Sequence, residues 1–220
     1  MRHDVVAIVL AGGAARRLGR LAAAGKAAVE CGGRTLLDRV CTALAAEVPR
    51  VVVVAARDTA IPRLETAAEV IHDSVAGAGP LPAIRDGLTH ALATVPPPRL
   101  AVLCACDMPL LAPGVVGRLL DLAVPGVRWI LPVVGGHPQP LLSVISVDVL
   151  TEVSTACARG GGSLRDLAAA IGRTTPRAVR IVDAAELRAV DPLLDSFRDV
   201  DTPEDRAAVE RIDDSRRRRC

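Results

Sequence analysis

Val5-Val6-Ala7-Ile8-Val9-Leu10-Ala11-Gly12-Gly13-Ala14-Ala15-Arg16-Arg17-Leu18-Gly19 is the stretch whose reading decides the fold. Its first half is an unbroken apolar run, the mark of a strand buried on both faces of a parallel sheet. Its second half breaks into adjacent glycines, which let a backbone approach a planar base or a phosphate closely. Seven residues beyond Gly19 stands Lys26, the single lysine among 27 basic side chains, the others all being arginine. An ammonium is a compact charge on a flexible stem, suited to following a phosphate that changes during a reaction. Arg17 adds a planar fork that matches phosphate oxygens. The loop is not a Walker loop, because it lacks the glycine-lysine-serine/threonine ending, and it lacks the dinucleotide glycine spacing as well.

Working outward, strand-like and helix-like segments alternate. Thr35–Glu47 carries Leu36, Leu37, Val40 and Leu44 at helical spacing, and Val51–Ala56 is wholly apolar. Glu69–His72 reads as a shorter strand, Leu81–Leu92 as a helix, Arg99–Cys106 as a strand and Pro113–Leu122 as a helix. Trp129–Val134 and Leu141–Ile145 read as strands, Val147–Ala158 as a helix, and a helix capped by Ser163 follows three glycines. Val179–Val182 is a late strand, and Thr202-Pro203 opens the last helix with a cap followed by proline. This alternation predicts an α/β fold: a three-layer, Rossmann-like, mostly parallel sheet with helices on both faces. Ligands of such sheets sit beyond the carboxyl ends of the strands.

Composition narrows the function. The chain has 220 residues, half of them hydrophobic, yet one Phe, one Trp and no Tyr, so the core is aliphatic. A net charge of +2 and the lack of aromatic stacking platforms argue against nucleic acid as a partner. No apolar stretch is long enough to span a bilayer and no signal peptide is read, so a cytoplasmic protein without membrane contact is expected. One domain is expected over 1–212, with 213–220 a basic, disordered tail. The six cysteines show no framework spacing. Cys104 and Cys106 read as small buried hydrophobes in preference to a metal pair.

Three elements fall at the carboxyl ends of strands. Besides the glycine loop, Asp107 in Cys106-Asp107-Met108-Pro109 ends a buried strand, where a carboxylate is costly unless a cation or hydrogen bonds receive it. It reads equally as a Mg²⁺ ligand, since that ion takes one or two carboxylates plus phosphates, and as a turn cap. Asp73, ahead of Gly79-Pro80-Leu81, reads as a hydrogen-bond acceptor for a base or sugar, or as an ordinary loop-initiating residue. His72 and His137 read as structural or loop residues.

Taken together, Leu-Ala-Gly-Gly, arginine-x-glycine, the lysine, aspartate before Gly-Pro-Leu-x-x-Ile, and Cys-Asp-Met-Pro resemble the molybdenum cofactor guanylyltransferase (MobA-like) family of nucleotidyltransferases. The likeness continues through Gln139-Pro140-Leu141, Gly162-Ser163-Leu164 and Asp199-Val200-Asp201-Thr202-Pro203. It implies a nucleotide-diphospho-sugar transferase (GT-A-like) fold and Mg²⁺-dependent transfer of GMP from GTP to the phosphate of molybdopterin, with release of pyrophosphate. By that resemblance Leu10, Ala11, Gly12 and Gly13 line the nucleotide and Asp73 contacts it. Lys26 and Arg17 neutralise the triphosphate, and Asp107 holds Mg²⁺. Transient contact with molybdenum-inserting or molybdoenzyme proteins is implied too. Arg20–Gly25 forms an insertion ahead of Lys26 relative to the family. Asp201 is read as a helix cap in preference to a second metal ligand. Two other readings use the same residues: a nucleotidyltransferase for CTP or another phosphorylated acceptor, and a nucleotide-binding module without turnover. Relatives that use CTP tend to show Leu-Ala-Ala-Gly and to lack Gly-Pro-Leu, so Gly12 and residues 79–81 favour GTP.

Overall fold

Strand β1 (Val5–Ala11) is buried at every position, because helices cover both faces of the sheet in which it is central. The computed structural model describes residues 2–13, 15–57, 59–75 and 77–218. Ala14 in the glycine loop, Ala76 in the loop after Asp73, and Arg219 and Cys220 of the tail lie outside the described residues. After β1 the chain makes 3-10 turns at Arg16–Ala22 and Lys26–Ala28, then a small hairpin of β2 (Glu30–Cys31) and β3 (Arg34–Thr35). Helix α1 (Leu36–Ala45) follows, its first turn capped by the Thr35 hydroxyl accepting from the Asp38 amide. Next come β4 (Val51–Ala55), β5 (Glu69–His72), α2 (Pro80–Leu92), β6 (Leu100–Ala105) and α3 (Pro113–Asp121). The second half contributes β7 (Trp129–Val134), β8 (His137–Pro138), β9 (Leu142–Ser146), α4 (Leu150–Ala158) and α5 (Leu164–Thr174). The chain ends with β10 (Val179–Asp183), α6 (Ala184–Arg188) and α7 (Pro203–Arg217).

The main sheet runs β10-β7-β9-β6-β1-β4-β5, with β8 paired to β7. The β6–β1, β1–β4, β4–β5 and β7–β10 pairs are parallel, while β9 runs antiparallel to both neighbours. From β1 the chain moves one way to β4 and β5, then α2 carries it back to β6 on the other side of β1. The strand order therefore reverses at β1, and a crevice opens beyond its carboxyl end.

Alternation along the strands builds two core layers. Ala7, Val9, Val51 and Val53 pack with Leu37, Val40 and Leu44 of α1 and Val116 and Leu119 of α3. On the opposite face Ile8, Leu10, Val52 and Val54 pack with Ile84 and Leu88 of α2, and the same layer continues to Leu167 and Ile171 of α5. Each fully buried aliphatic side chain contributes roughly 1.5–3 kcal/mol, which is how a chain almost without aromatics holds together. At Gly87 the contact of α2 with the sheet is so close that an added methyl would stand 2.7 Å from Ile8 Cγ2. Cys41, Cys104 and Cys106 belong to the α1 and α3 layer, and burial pushes the thiols of Cys41 and Cys106 up to about 12. They act there as small hydrophobes.

The first part of the expected disordered tail, 213–217, belongs to helix α7, while Arg219 and Cys220 lie outside the described residues. Asp213 pairs with the largely buried Arg39 at 3.0 Å, and Arg216 reaches the buried Asp195 at 2.8 Å. Carboxylates supplied by and to the last turns of α7 thus tie the arginine-rich end to the domain. Among the described residues no helix is long and apolar enough to cross a membrane.

Candidate active site

The carboxyl ends of β1, β4, β5 and β6 form one rim. Leu10 and Ala11 lie within the strand and are buried, and the Leu10 carbonyl is taken by the Cys106 amide. Gly12 and Gly13 emerge into solvent, and a methyl built on either would meet no atom within 4 Å. Gly13 has φ +128, a conformation that an L side chain rarely adopts. Of the four loop residues expected at the nucleotide, then, the two glycines offer open backbone and the other two support them from the sheet.

Lys26 arrives at this rim despite the inserted residues. Leu18 is buried against Val29, Leu36, Leu110 and Val200, anchoring the 3-10 turn. The backbone kinks at Gly19 and turns again where the Gly25 amide donates to the Ala22 carbonyl. A methyl at Gly25 would sit 3.5 Å from Thr59 Cγ2, so the insertion folds beside the loop after β4. The Lys26 side chain, 12% exposed, places Nζ 2.5 Å from Asp107 Oδ2 and 2.5 Å from Asp201 Oδ1. Arg17 reaches the other oxygen of Asp201 at 2.5 Å. Lys26 and Asp107 are thus in direct contact, and Arg17 joins them through Asp201.

Asp201 does not cap α7. Thr202 holds that position, its hydroxyl accepting from the Asp205 amide while the Asp205 carboxylate accepts from the Thr202 amide. With its helix end satisfied by Thr202 and Asp205, the Asp201 carboxylate is free to face the lysine. The Asp199–Asp201 segment is held against the Asp107 turn by the Val200 amide donating to the Asp107 carbonyl. Arg39 braces the same turn from below, donating to the Pro109 carbonyl, to the Cys31 carbonyl and to Asp213.

The electrostatics follow from this crowding. Burial pulls the Lys26 ammonium down, but Asp107 and Asp201 outweigh it, so its pKa lies above the ordinary lysine value and the group stays charged. The Asp199 carboxyl is raised, first by partial burial and then by the neighbouring charges of Asp201 and Asp107. One oxygen of Asp107 is satisfied by Lys26, whereas Oδ1 is buried without a hydrogen-bond partner among the described residues. Such an atom calls for a cation or a donor. Among the described residues no group of three or more His, Cys, Asp or Glu side chains forms a ready-made metal cage.

Asp73 stands apart, at the end of β5. Its amide extends the sheet by donating to the Ala55 carbonyl, and its Oδ1, like that of Asp107, is buried without a partner among the described residues. From β5 to β6 is three strand spacings, about 14 Å at ~4.8 Å each. The rim thus carries Asp73 at the end of β5 and the Lys26–Asp107 pair at the end of β6, with the open glycine backbone after β1 between those strands. Gln139-Pro140-Leu141 closes the β9 side of this rim: the Ala105 amide donates to the Leu141 carbonyl, and Ser143 Oγ donates to the Pro140 carbonyl. Asp199 and Asp201 are the site residues that sequence reasoning placed poorly. Their one local signal is the two-residue spacing in an extended segment, which turns both side chains to one side.

The MobA-like NTP transferase domain family matches residues 7–175 of this chain. A protein named probable molybdenum cofactor guanylyltransferase, from Mycobacterium avium, is 34% identical over 166 residues, or 74% of this chain and 80% of that protein. Molybdopterin-guanine dinucleotide biosynthesis protein A from Archaeoglobus fulgidus superposes with a TM-score of 0.73 at 25% identity, covering 96% of this chain and 99% of that one. The 2-C-methyl-D-erythritol 4-phosphate cytidylyltransferase of Thermus thermophilus shares the fold, with a TM-score of 0.67 at 20% identity over 96% of this chain and 98% of that one.

Proposed function

This chain belongs to the MobA-like family of nucleotidyltransferases, and from that premise we propose that it transfers GMP from GTP to the phosphate of molybdopterin, releasing pyrophosphate. The observation that carries this reading is the placement of Lys26 Nζ between Asp107 and Asp201 beneath an open glycine loop. An acceptor phosphate oxygen forms a bond to the α-phosphorus as the bond to pyrophosphate breaks. The acceptor is already anionic, so no general-base histidine is needed. What the protein supplies is position and charge. Lys26 and Arg17 turn from their carboxylates to the triphosphate and follow the charge onto the departing pyrophosphate.

The donor set fits Mg²⁺. The orphaned Asp107 Oδ1 offers a ligand atom, and Asp201 offers a second carboxylate as its cations turn toward phosphate. Phosphate oxygens would complete a site for which one or two carboxylates suffice. The ion would neutralise phosphate charge there. Asp73 favours guanine, whose adjacent ring N–H and exocyclic amino group both donate toward a carboxylate. Cytosine and adenine present an amino donor beside a ring acceptor, which a carboxylate repels. Hand-over to molybdenum-inserting or molybdoenzyme proteins and a cytoplasmic setting belong to the same reading.

The test is pyrophosphate release from GTP, CTP and ATP in turn, with Mg²⁺ and molybdopterin, together with chromatography of the product. GTP-selective formation of a dinucleotide is expected. CTP-selective release would move the protein to a cytidylyltransferase, and binding without release would make it a nucleotide-binding module.

A further inference from the structure

We propose that Asp86, acting with Arg85 and Ser74, is a positioning residue that aims Asp73 at the base and so sets nucleotide selectivity; this rests on the reading of Asp73 as the base acceptor. Asp86 Oδ2 accepts the Ser74 amide at 2.7 Å. Arg85 donates through Nε and Nη2 to Asp86 Oδ1 at 3.0 and 2.9 Å, and through Nη2 to Ser74 Oγ at 2.6 Å. The three residues close a ring that clamps the peptide immediately after Asp73 onto α2. The peptide before Asp73 is fixed by the bond from its own amide to the Ala55 carbonyl. Asp73 is thereby held at both ends, and its buried Oδ1 lacks a partner among the described residues. An unpaired buried acceptor held this firmly is pre-organised for a donor from a ligand.

The clamp stands on a rigid base. Asp86 precedes Gly87, where α2 rests so closely on Ile8 and Val54 that no methyl fits. The ring is also internally balanced. Burial works against ionisation of Asp86, but the Ser74 amide and hydroxyl and the Arg85 guanidinium outweigh it and hold the carboxyl below the usual carboxylate range. Without this tether residue 73 would be joined to the loop through 79, in which Gly77 and Gly79 adopt positive φ and Ser74 and Val75 are exposed.

Binding of GTP and of inosine triphosphate, which lacks the exocyclic amino group, is measured by calorimetry for wild type, Asp73→Asn, Asp86→Ala, Asp86→Asn, Arg85→Ala and Asp73→Asn/Asp86→Ala. Asp86→Ala is expected to weaken GTP roughly tenfold and inosine triphosphate much less, because misaiming affects the directional contact selectively. The loss should appear in KM for GTP with kcat retained. Asp86→Asn, which keeps an oxygen for the Ser74 amide, should recover part of the selectivity, and Arg85→Ala should lose part of it. On the Asp73→Asn background Asp86→Ala should add nothing. Equal weakening of both nucleotides would show a merely structural role and overturn the proposal. Selectivity lost in Asp73→Asn but intact in Asp86→Ala overturns the positioning role alone. Selectivity unchanged in Asp73→Asn overturns it together with the base reading.

Discussion

Lys26 Nζ lies 2.5 Å from Asp201 Oδ1 across 175 residues of sequence, joining the loop after the first strand to the segment before the last helix. The lysine is thereby held by two carboxylates, and Asp201 is shared with Arg17. On the proposed function, a triphosphate entering the rim would exchange these partners for its own oxygens, which would keep the cations paired in both states.

Replacing Lys26 by Ala should lower turnover by about 10²–10³, the usual effect of losing one group that stabilises developing charge. Lys26→Arg should not restore it, since the longer planar fork does not fit between Asp107 and Asp201 as the ammonium does. Pyrophosphate release under saturating GTP checks both variants, and circular dichroism checks that the fold is retained. Wild-type turnover in Lys26→Ala would remove the lysine from the mechanism.

Asp107→Asn should abolish the Mg²⁺ dependence of GTP binding, because it weakens the buried oxygen that has no partner among the described residues. Calorimetric titration with GTP, with Mg²⁺ and after chelation, reads this directly. If the two titrations still differ as in the wild type, the ion is held elsewhere, with Asp201 the next residue to replace.

Glu69 on β5 gives a pH-dependent prediction. The bidentate hydrogen bonds from Arg50 hold its carboxyl down at about 2 against the opposing effect of burial, with His90 helping. Because the folded pKa is depressed, the stabilisation is present above the ordinary value of 4.5 and is lost as pH falls through about 2. Glu69→Gln should therefore melt below wild type at pH 6, while the two curves converge near pH 2. A constant difference across that range would show that the pair contributes by packing alone.

Gly87→Ala should destabilise the protein by about 1–3 kcal/mol despite alanine's better helix propensity, since the added methyl overpacks the sheet. The cause is the 2.7 Å approach to Ile8 Cγ2, a stiff β-branched group backed by the sheet. Chemical denaturation measures it, and a variant as stable as wild type would show that α2 shifts freely on β1.

Much of the architecture was legible because burial leaves a local trace. The runs at 5–11, 51–55 and 100–105 are apolar throughout since both faces are covered, and helix starts followed from caps such as Ser163 and Thr202. The antiparallel direction of β9 left no such trace, because a buried strand carries the same apolar residues in either direction. The alanine-rich insertion gave no periodicity, yet it folds into a turn that brings Lys26 to the site. The tail looked solvated since the arginines are contiguous, whereas the buried Asp195 that holds Arg216 is 21 residues away.

By itself the sequence determined a buried first strand, an open glycine loop, a single lysine beside it and an aspartate at the end of a neighbouring strand. Those are properties of residue type and short spacing, and local patterns carry them. Only the tertiary structure decided which carboxylates that lysine meets, and that Asp201 faces it instead of capping α7. Ion pairing depends on distance through space, and a lysine and an aspartate far apart in the chain come within hydrogen-bond reach only once the sheet has brought β1, β6 and the start of α7 to one rim.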